Sequence, residues 1–346
     1  MSSPPTSSAM AAFPAPYDPP FLQHYSSLFP AAAETERHEA GGVIEECELP
    51  VIDLKDLQLG GEEERMGCVA EIAAASSVWG FFQVVNHGIS KELLKEARRE
   101  QRRLFHMSFE KKNGSKDLNE SYRWGNPTAT SLDQFSWSEA FHFPLSKLSE
   151  GGGCDEDEFR SLRESMQKVA DSMSQLARIL AGVLAYNLGC SDDFFTENCR
   201  ENTCFLRLNR YPSCPFSPET FGLMPHTDSD FLTILHQDHV GGLQLMKDSK
   251  WVSIKPNPEA LIVNIGDLFQ AWSNDVYKSV EHKVMTNSTV ERYSIAYFLC
   301  PSYDSIVSSC KEPSRYRKFT FKEFRRQVQE DVKTTGYKVG LSRFLL

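Results

Sequence analysis

Downstream of Thr203 the chain breaks into short β-rich runs separated by turn residues, and this pattern limits its possible folds more than any other feature. The runs fall at residues 204–211, 231–237, 242–246, 251–254, 260–265, 282–285 and 293–299. Many short strands in series predict a double-sheet jelly roll. Upstream the spacing is helical. Met66, Val69, Ile72, Ala73 and Ser76 share a face within 62–78. Ser90 can cap a helix over 91–111. Phe159, Leu162, Met166, Val169, Met173, Leu176, Leu180 and Val183 recur every three or four residues, until Gly189 ends the run. Acids at 155–158, after three glycines, suit the start of that helix. Runs at 49–54 and 80–88 are expected as strands, 267–273 as a brief helix and 322–334 as a charged closing helix.

The expected class is α+β: a double-stranded β-helix (jelly roll) core flanked by N-terminal helices and a C-terminal helix. Residues 1–45 are expected to be a flexible tail, 46–200 mainly helical, 201–310 the jelly roll, and 311–346 a helix and tail. Residues 113–150 are irregular but rich in aromatics, and are expected to pack as an arm over something.

A jelly roll leaves the chemistry open, and charge narrows it. With 47 acids against 37 lysines and arginines, the net charge is −10. No basic stripe offsets this, so a nucleic acid is an unsuitable partner. The nine cysteines are scattered without a CxxC pair, which disfavours a zinc finger and fits reduced thiols in a cytoplasmic protein. No charged n-region precedes an apolar run, and no apolar run approaches the ~18 residues of a membrane span. The expectation is an intracellular protein without a membrane partner, in the cytoplasm and, as an extension, the nucleus. Homo-oligomerisation is left open.

Within the β-rich half, His226 and Asp228 stand two residues apart. In an extended stretch both side chains leave one face, about 7 Å apart at their roots. An imidazole and a carboxylate aimed together are two-thirds of a facial metal site. Two histidines and one carboxylate leave open positions, which suits non-haem iron(II). His282, at the start of a later strand, is the candidate for the third ligand. A second HxD, His236-Gln237-Asp238 followed by His239, competes with the first, and periodicity does not choose between them. The second runs into an expected hairpin tip at 239–242, so His236 and His239 are expected at the surface or a strand end. Asp228→Ala is expected to abolish activity and Asp238→Ala to change little.

Arg292 opens a strand whose alternation sets Arg292, Ser294, Ala296 and Phe298 on one face. A guanidinium left unpaired in a barrel interior costs several kcal/mol, and Glu291 points to the other face. A ligand carboxylate fits Arg292, with the Ser294 hydroxyl beside it and Tyr211 as a third donor.

His226-x-Asp228, His282 and Arg292-x-Ser294, with Asn209-x-Tyr211-Pro212 upstream, resemble the iron(II) and 2-oxoglutarate-dependent dioxygenases of plants. The resemblance extends to Leu49-Pro50-Val51-Ile52-Asp53-Leu54, Gly80-Phe81-Phe82-Gln83-Val84-Val85-Asn86-His87-Gly88 and Gly242-Leu243-Gln244-Leu245, covering about residues 48–310. It settles the HxD question in favour of the first copy. Tyr122-Arg123-Trp124-Gly125-Asn126-Pro127 and Ser136-Trp137-Ser138-Glu139-Ala140-Phe141-His142 resemble the gibberellin 2-oxidases, particularly the class acting on twenty-carbon gibberellins.

The resemblance implies Fe(2+) on His226, Asp228 and His282, and O2 as co-reactant, with ascorbate as reductant in vitro. It implies 2-oxoglutarate with its far carboxylate at Arg292, Ser294 and Tyr211, and Asn209 beside them. The implied substrate is a small diterpenoid acid, hydroxylated at carbon 2 and so inactivated as a hormone. Arg123, Trp124, Trp137, Arg207 and Phe298 are the candidates to contact it. The competing expectations are the same oxygenase chemistry on a nineteen-carbon gibberellin, another terpenoid or a flavonoid, and a non-catalytic jelly roll that binds a small acid.

Overall fold

The computed structural model describes residues 18–29, 44–115, 118, 120–149, 159–200, 203–218 and 220–346. Its helices in chain order are α1 (Phe21–His24), α2 (Lys55–Leu59), α3 (Glu62–Val78), α4 (Lys91–Phe105), α5 (Phe109–Gly114), α6 (Leu145–Ser149), α7 (Arg160–Asn187), α8 (Asp193–Asn198), α9 (Asp267–Trp272) and α10 (Phe321–Thr335). The strands are β1 (Glu46–Cys47), β2 (Val51–Asp53), β3 (Phe81–Val85), β4 (Tyr122–Trp124), β5 (Glu139–Pro144), β6 (Phe205–Tyr211), β7 (Phe221–His226), β8 (Leu232–Gln237), β9 (Leu243–Lys247), β10 (Lys250–Ile254), β11 (Leu261–Ile265), β12 (His282–Met285), β13 (Arg292–Leu299), β14 (Ile306–Val307) and β15 (Phe319–Thr320).

Two sheets form the jelly roll. One has five strands in the order β1-β10-β9-β12-β7, the other eight in the order β2-β3-β11-β8-β13-β6-β5-β4. Strands distant in sequence lie side by side in both, as a jelly roll requires. Because side chains alternate across a strand, pairing fixes which residues share a face. Arg292 pairs with Tyr211, and Ser294 with both Asn209 and Gln237; Asn264 pairs with Thr233. These polar residues therefore share one face of the large sheet. Its other face carries Tyr293, Ile295, Tyr297 and Leu299, buried with Met166, Val169, Met173 and Leu180 of α7. The helical half of the chain thus covers the outside of the sheet and leaves the polar face for the interior.

Local signals explain the helices. Ser90 Oγ accepts from the Leu93 amide and starts α4. Gly189, at φ +69°, ends α7 in the left-handed conformation that a Cβ disfavours. The expected helix over 91–111 is instead α4 followed, after a break, by α5, where Ser108 caps a second start through the Lys111 amide. The acids at 155–158 lie outside the described residues.

Two expectations need correction. The segment 113–150 is not simply an arm, because β4 and β5 extend the large sheet, β5 pairing with β6 from Glu139↔Arg210 to Pro144↔Phe205. Phe141 and Phe143 are buried on the face opposite His142, and apolar residues on alternating positions were masked by aromatics on both faces. Residues 18–29 are not a loose tail. Phe21 stacks on Trp137 at 4.5 Å between ring centroids, and Phe29 stacks on Phe216 at 4.6 Å. Trp124 and Phe135 complete this aromatic cluster. Just beside it a buried charge group ties α5 to the sheet: Lys112 Nζ donates to Glu139 Oε2 at 2.7 Å, and Arg210 Nη1 to Glu139 Oε1 at 2.7 Å.

If 18–29 are integral to the fold, Phe21→Ala removes a fully buried ring and should lower the unfolding free energy in urea by about 3 kcal/mol. An unchanged midpoint would mean that the segment is not docked.

Candidate metal and co-substrate site

The site begins with a register. His226 ends β7, His282 begins β12, and the two are directly paired across the antiparallel ladder. Their rings therefore leave the same face, with centroids 4.3 Å apart. Each ring is fixed by its own strand. His226 Nδ1 lies 2.9 Å from the Met224 carbonyl oxygen, and His282 Nδ1 lies 3.1 Å from that of Val280. A carbonyl oxygen only accepts, so each Nδ1 carries the proton and each Nε2 presents a lone pair.

Asp228 follows in the turn after β7. Its Oδ2 accepts from Thr233 Oγ1 at 2.6 Å and Asn264 Nδ2 at 2.8 Å. Its Oδ1 faces the two Nε2 atoms, at 3.6 Å from His226 and 3.8 Å from His282. The three ligand atoms lie within 4.8 Å of one another, the one such group of three among the described residues. Burial pushes the Asp228 carboxyl up, but the His282 and His226 imidazoles and the Thr233 and Asn264 hydrogen bonds outweigh it, holding the pKa at about 2. Burial first, and His282 second, hold His226 down at about 3. One carboxylate oxygen and two imidazole Nε2 atoms converge on one point, the donor set of a facial iron site.

The turn between these ligands is held from outside the sheets. Lys338 Nζ, beyond α10, donates to the Thr227 carbonyl at 2.9 Å and Ser229 Oγ at 2.7 Å, and pairs with Asp267 at 2.6 Å. The Asp267 amide donates to the Asp228 carbonyl at 2.9 Å. Gly266 precedes it because a Cβ there would meet Asp230 Oδ1 at 2.1 Å. Asp230, buried beside Asp228, has its pKa raised by desolvation first and by that charge second. Thr233 Oγ1 lies 2.6 Å from Asp228 Oδ2 and 2.9 Å from Asp230 Oδ2, so one hydroxyl proton serves two neighbouring carboxyls.

Arg292 lies on the interior face of the large sheet, 2% exposed. Its Nη2 donates to Gln237 Oε1 at 2.8 Å, and its guanidinium sits 4.9 Å over the Tyr211 ring. Nε and Nη1 are buried with no partner among the described residues. No carboxylate pairs with it there either; Glu291 bonds Arg210 and Tyr293 instead. A buried cation with two idle N–H groups is a cradle for a planar anion. Asn209 Nδ2 donates to Ser294 Oγ at 3.2 Å, placing both beside it.

The other candidates divide. Arg207 is half-buried on the same face and donates to Asn209 Oδ1 at 2.9 Å. Phe298 stacks on Phe205 at 4.4 Å, which stacks on His142 at 3.9 Å. Arg123 is exposed and bonds the Tyr122 carbonyl. Trp124 packs on Phe21 and Phe109, and Trp137 is fully buried in the same cluster, leaving it no surface for a ligand.

The second HxD is not at a water-facing tip. His236 and Asp238 are buried, on the face of β8 turned away from the metal ligands; only His239 is exposed. Asp238 accepts from the Tyr293 amide at 2.6 Å and the Val240 amide at 3.0 Å. Sequence reasoning missed Thr233, Asn264, Gln237 and Lys338. A polar residue inside an otherwise apolar strand was the available signal for the first three; Lys338 gives none.

Comparison with known proteins agrees with this geometry. Residues 202–301 match the model of the 2OG-Fe(II) oxygenase superfamily, and residues 49–163 that of the non-haem dioxygenase in morphine synthesis N-terminal region. Gibberellin 2-beta-dioxygenase 6 of Oryza sativa subsp. japonica is 58% identical, over 88% of this chain and 87% of the relative. Gibberellin 2-beta-dioxygenase 8 of Arabidopsis thaliana is 54% identical, over 95% and 98%. The chain belongs to the 2OG-Fe(II) oxygenase superfamily.

A solved structure of JOX2 in complex with 2OG, Fe and JA superposes on this oxygenase with a TM-score of 0.73 at 31% identity, covering 93% of this chain and 97% of that one. Fe(2+), 2-oxoglutarate and O2 are its cofactors and co-substrates, and the donor set and the idle Arg292 groups fit them.

Thr233→Val removes one of the two bonds on Asp228 Oδ2 and should weaken anaerobic iron(II) binding by about 10–100-fold. Asp238→Ala should leave that affinity intact but, by stranding two amides, lower stability by about 1–3 kcal/mol. Equal loss of metal affinity in both would contradict the division of the two faces. His236 and His142 are held down at about 3 and about 4, each by burial first and nearby arginines next. The folded state thus binds fewer protons than the unfolded one, and stability is lost as pH falls below the ordinary histidine value of about 6.5. The urea midpoint of the metal-free chain should be lower at pH 5 than at pH 7; a flat profile would contradict neutral, buried imidazoles.

Proposed function

We propose that this oxygenase hydroxylates gibberellins at carbon 2 and so inactivates them, with twenty-carbon precursors preferred. The observation that carries the reading is the pairing of a complete two-histidine, one-carboxylate cluster with a buried arginine lacking an anion, in a chain 58% identical to a gibberellin 2-beta-dioxygenase. The motifs at 122–127 and 136–142 motivate the twenty-carbon preference.

In this reading His226, Asp228 and His282 hold the iron, and Arg292 binds the far carboxylate of 2-oxoglutarate through Nε and Nη1, with Ser294 and Tyr211 beside it. Iron with the keto acid supplies the dioxygen chemistry that couples decarboxylation to hydroxylation of a C–H bond. The chain's contribution is placement. Gln237 holds the guanidinium plane, Thr233 and Asn264 hold the carboxylate, and the Nδ1 bonds fix the ring orientation that turns each Nε2 to the iron. The His142–Phe205–Phe298 stack offers an apolar wall for a rigid diterpenoid. Arg207, Arg325 and Arg123 all lie close enough to His142 to depress its pKa, and so form a positive field for a substrate carboxylate. Arg207 and Phe298 are the substrate contacts this arrangement favours.

The eight described cysteines are free, and no helix among the described residues is long and apolar enough to cross a membrane. These features support a reducing compartment, the cytoplasm or the nucleus.

Incubation with twenty- and nineteen-carbon gibberellins, a flavonoid and iron(II), 2-oxoglutarate and ascorbate should yield a 2-hydroxylated gibberellin and stoichiometric succinate. Succinate without any hydroxylated gibberellin would reject the substrate. Arg292→Ala should raise the KM for 2-oxoglutarate by about tenfold or more; an unchanged KM would remove its role.

A further inference from the structure

A second basic site lies on the opposite side of β8 from the metal ligands. A cleft of about 780 Å³ opens between α2, α4, the loop that follows β3 and the turn before β11. Four basic side chains line it, Lys55, Lys91, Lys95 and Arg98, against one carboxylate, Glu259. Glu259 is engaged by Lys91, so three cations are left over. That excess is notable in a chain of net charge −10, where cations are locally scarce.

Arg98 forms the inner wall. Its Nη2 lies 3.1 Å from His236 Nε2 and donates to the Gln237 carbonyl at 2.8 Å. His236 is buried and neutral, so it accepts this bond and offers no countercharge. Asp238 acts on Arg98 through its charge but makes no hydrogen bond to it, since its oxygens accept from the Tyr293 and Val240 amides. No carboxylate pairs with Arg98 among the described residues, and its Nε and Nη1 make no hydrogen bond there. Ser90, Asn86, Gln58 and His87 add neutral polar groups around the same space.

We propose that this cleft binds a small multivalent anion, a di- or tricarboxylate or a phosphate, through Arg98, Lys95 and Lys55, and that its occupancy weakens the grip on 2-oxoglutarate. The coupling runs through one residue. Gln237 gives its backbone carbonyl to Arg98 on one face of β8, and its side-chain oxygen to Arg292 on the other, both at 2.8 Å. An anion that draws Arg98 into the cleft loosens its bond to Gln237, and with it the residue that orients the Arg292 guanidinium. Its charge also opposes a second anion arriving at Arg292. The coupling rests on Arg292 being the co-substrate anchor; the binding does not.

The test is calorimetric titration of the full-length chain, anaerobic, with iron(II) and one equivalent of 2-oxoglutarate, which fills the interior cavity without loading the cleft with a second dicarboxylate. Citrate and inorganic phosphate are the probes, with chloride as the control, and the arms separate carboxylate from phosphate ligands. Saturable one-to-one binding of either probe is expected, with affinity about tenfold or more lower in the doubly substituted Lys55→Gln, Lys95→Gln chain. Both lysines are exposed, so this variant should fold and retain its turnover at saturating 2-oxoglutarate. The same probe should raise the KM for 2-oxoglutarate in the unaltered chain and not in the double variant. No saturable heat from citrate or phosphate, or equal binding by the double variant, would overturn the site. Binding without a change in KM would overturn the coupling through Gln237.

Discussion

The account depends on how one carboxylate is divided. Asp228 carries two equivalent oxygens, and the fold makes them inequivalent by saturating Oδ2 with Thr233 and Asn264 while leaving Oδ1 bare between two imidazole nitrogens. Burying a carboxylate is costly, and hydrogen bonds to one oxygen offset part of that cost without neutralising the charge. The remainder is available to a cation. Because Thr233 and Asn264 are paired neighbours on β8 and β11, the large sheet orients the ligand that the turn after β7 supplies. The two sheets thus meet electrostatically at this group.

A complementary imbalance stands at Arg292. There the fold buries a positive charge and withholds the acid that would satisfy it, because alternation sends Glu291 to the far face with Arg210, Tyr293 and His106. A cation-seeking cluster on the small sheet and its turn, and an anion-seeking guanidinium on the large sheet, share one interior. Each is incomplete without a bound partner, and in the proposed reading a single keto acid with a carboxylate at either end serves both. Lys338 extends the dependence to the end of the chain, since the turn that carries Asp228 is tied to a lysine 110 positions downstream.

Most of this was legible because it rests on short periods. Strand alternation placed Arg292, Ser294 and Phe298 together, and the HxD spacing placed His226 beside Asp228. Helix α3 and strand β12 fall where their patterns put them. What escaped the sequence depends on contacts between distant segments. The choice between two HxD copies is a matter of which face of which strand looks inward, and His236 is as buried as His282, so burial alone does not separate them. Residues 18–29 look like a tail because proline and serine dominate their surroundings, yet Phe21 and Phe29 find an aromatic cavity that no local pattern reveals. The aromatic run at 122–143 hid two strands because rings lie on both faces, Phe141 and Phe143 on one and the His142 stack on the other.

The most direct measurement is a crystal structure of the full-length chain grown without oxygen in the presence of iron(II) and 2-oxoglutarate. The account predicts iron on His226 Nε2, His282 Nε2 and Asp228 Oδ1, with Thr233 and Asn264 still on Oδ2 and the far carboxylate on Arg292. Iron held through Asp228 Oδ2, or by His236 and Asp238, or a keto acid that leaves Arg292 without an anion, would contradict it.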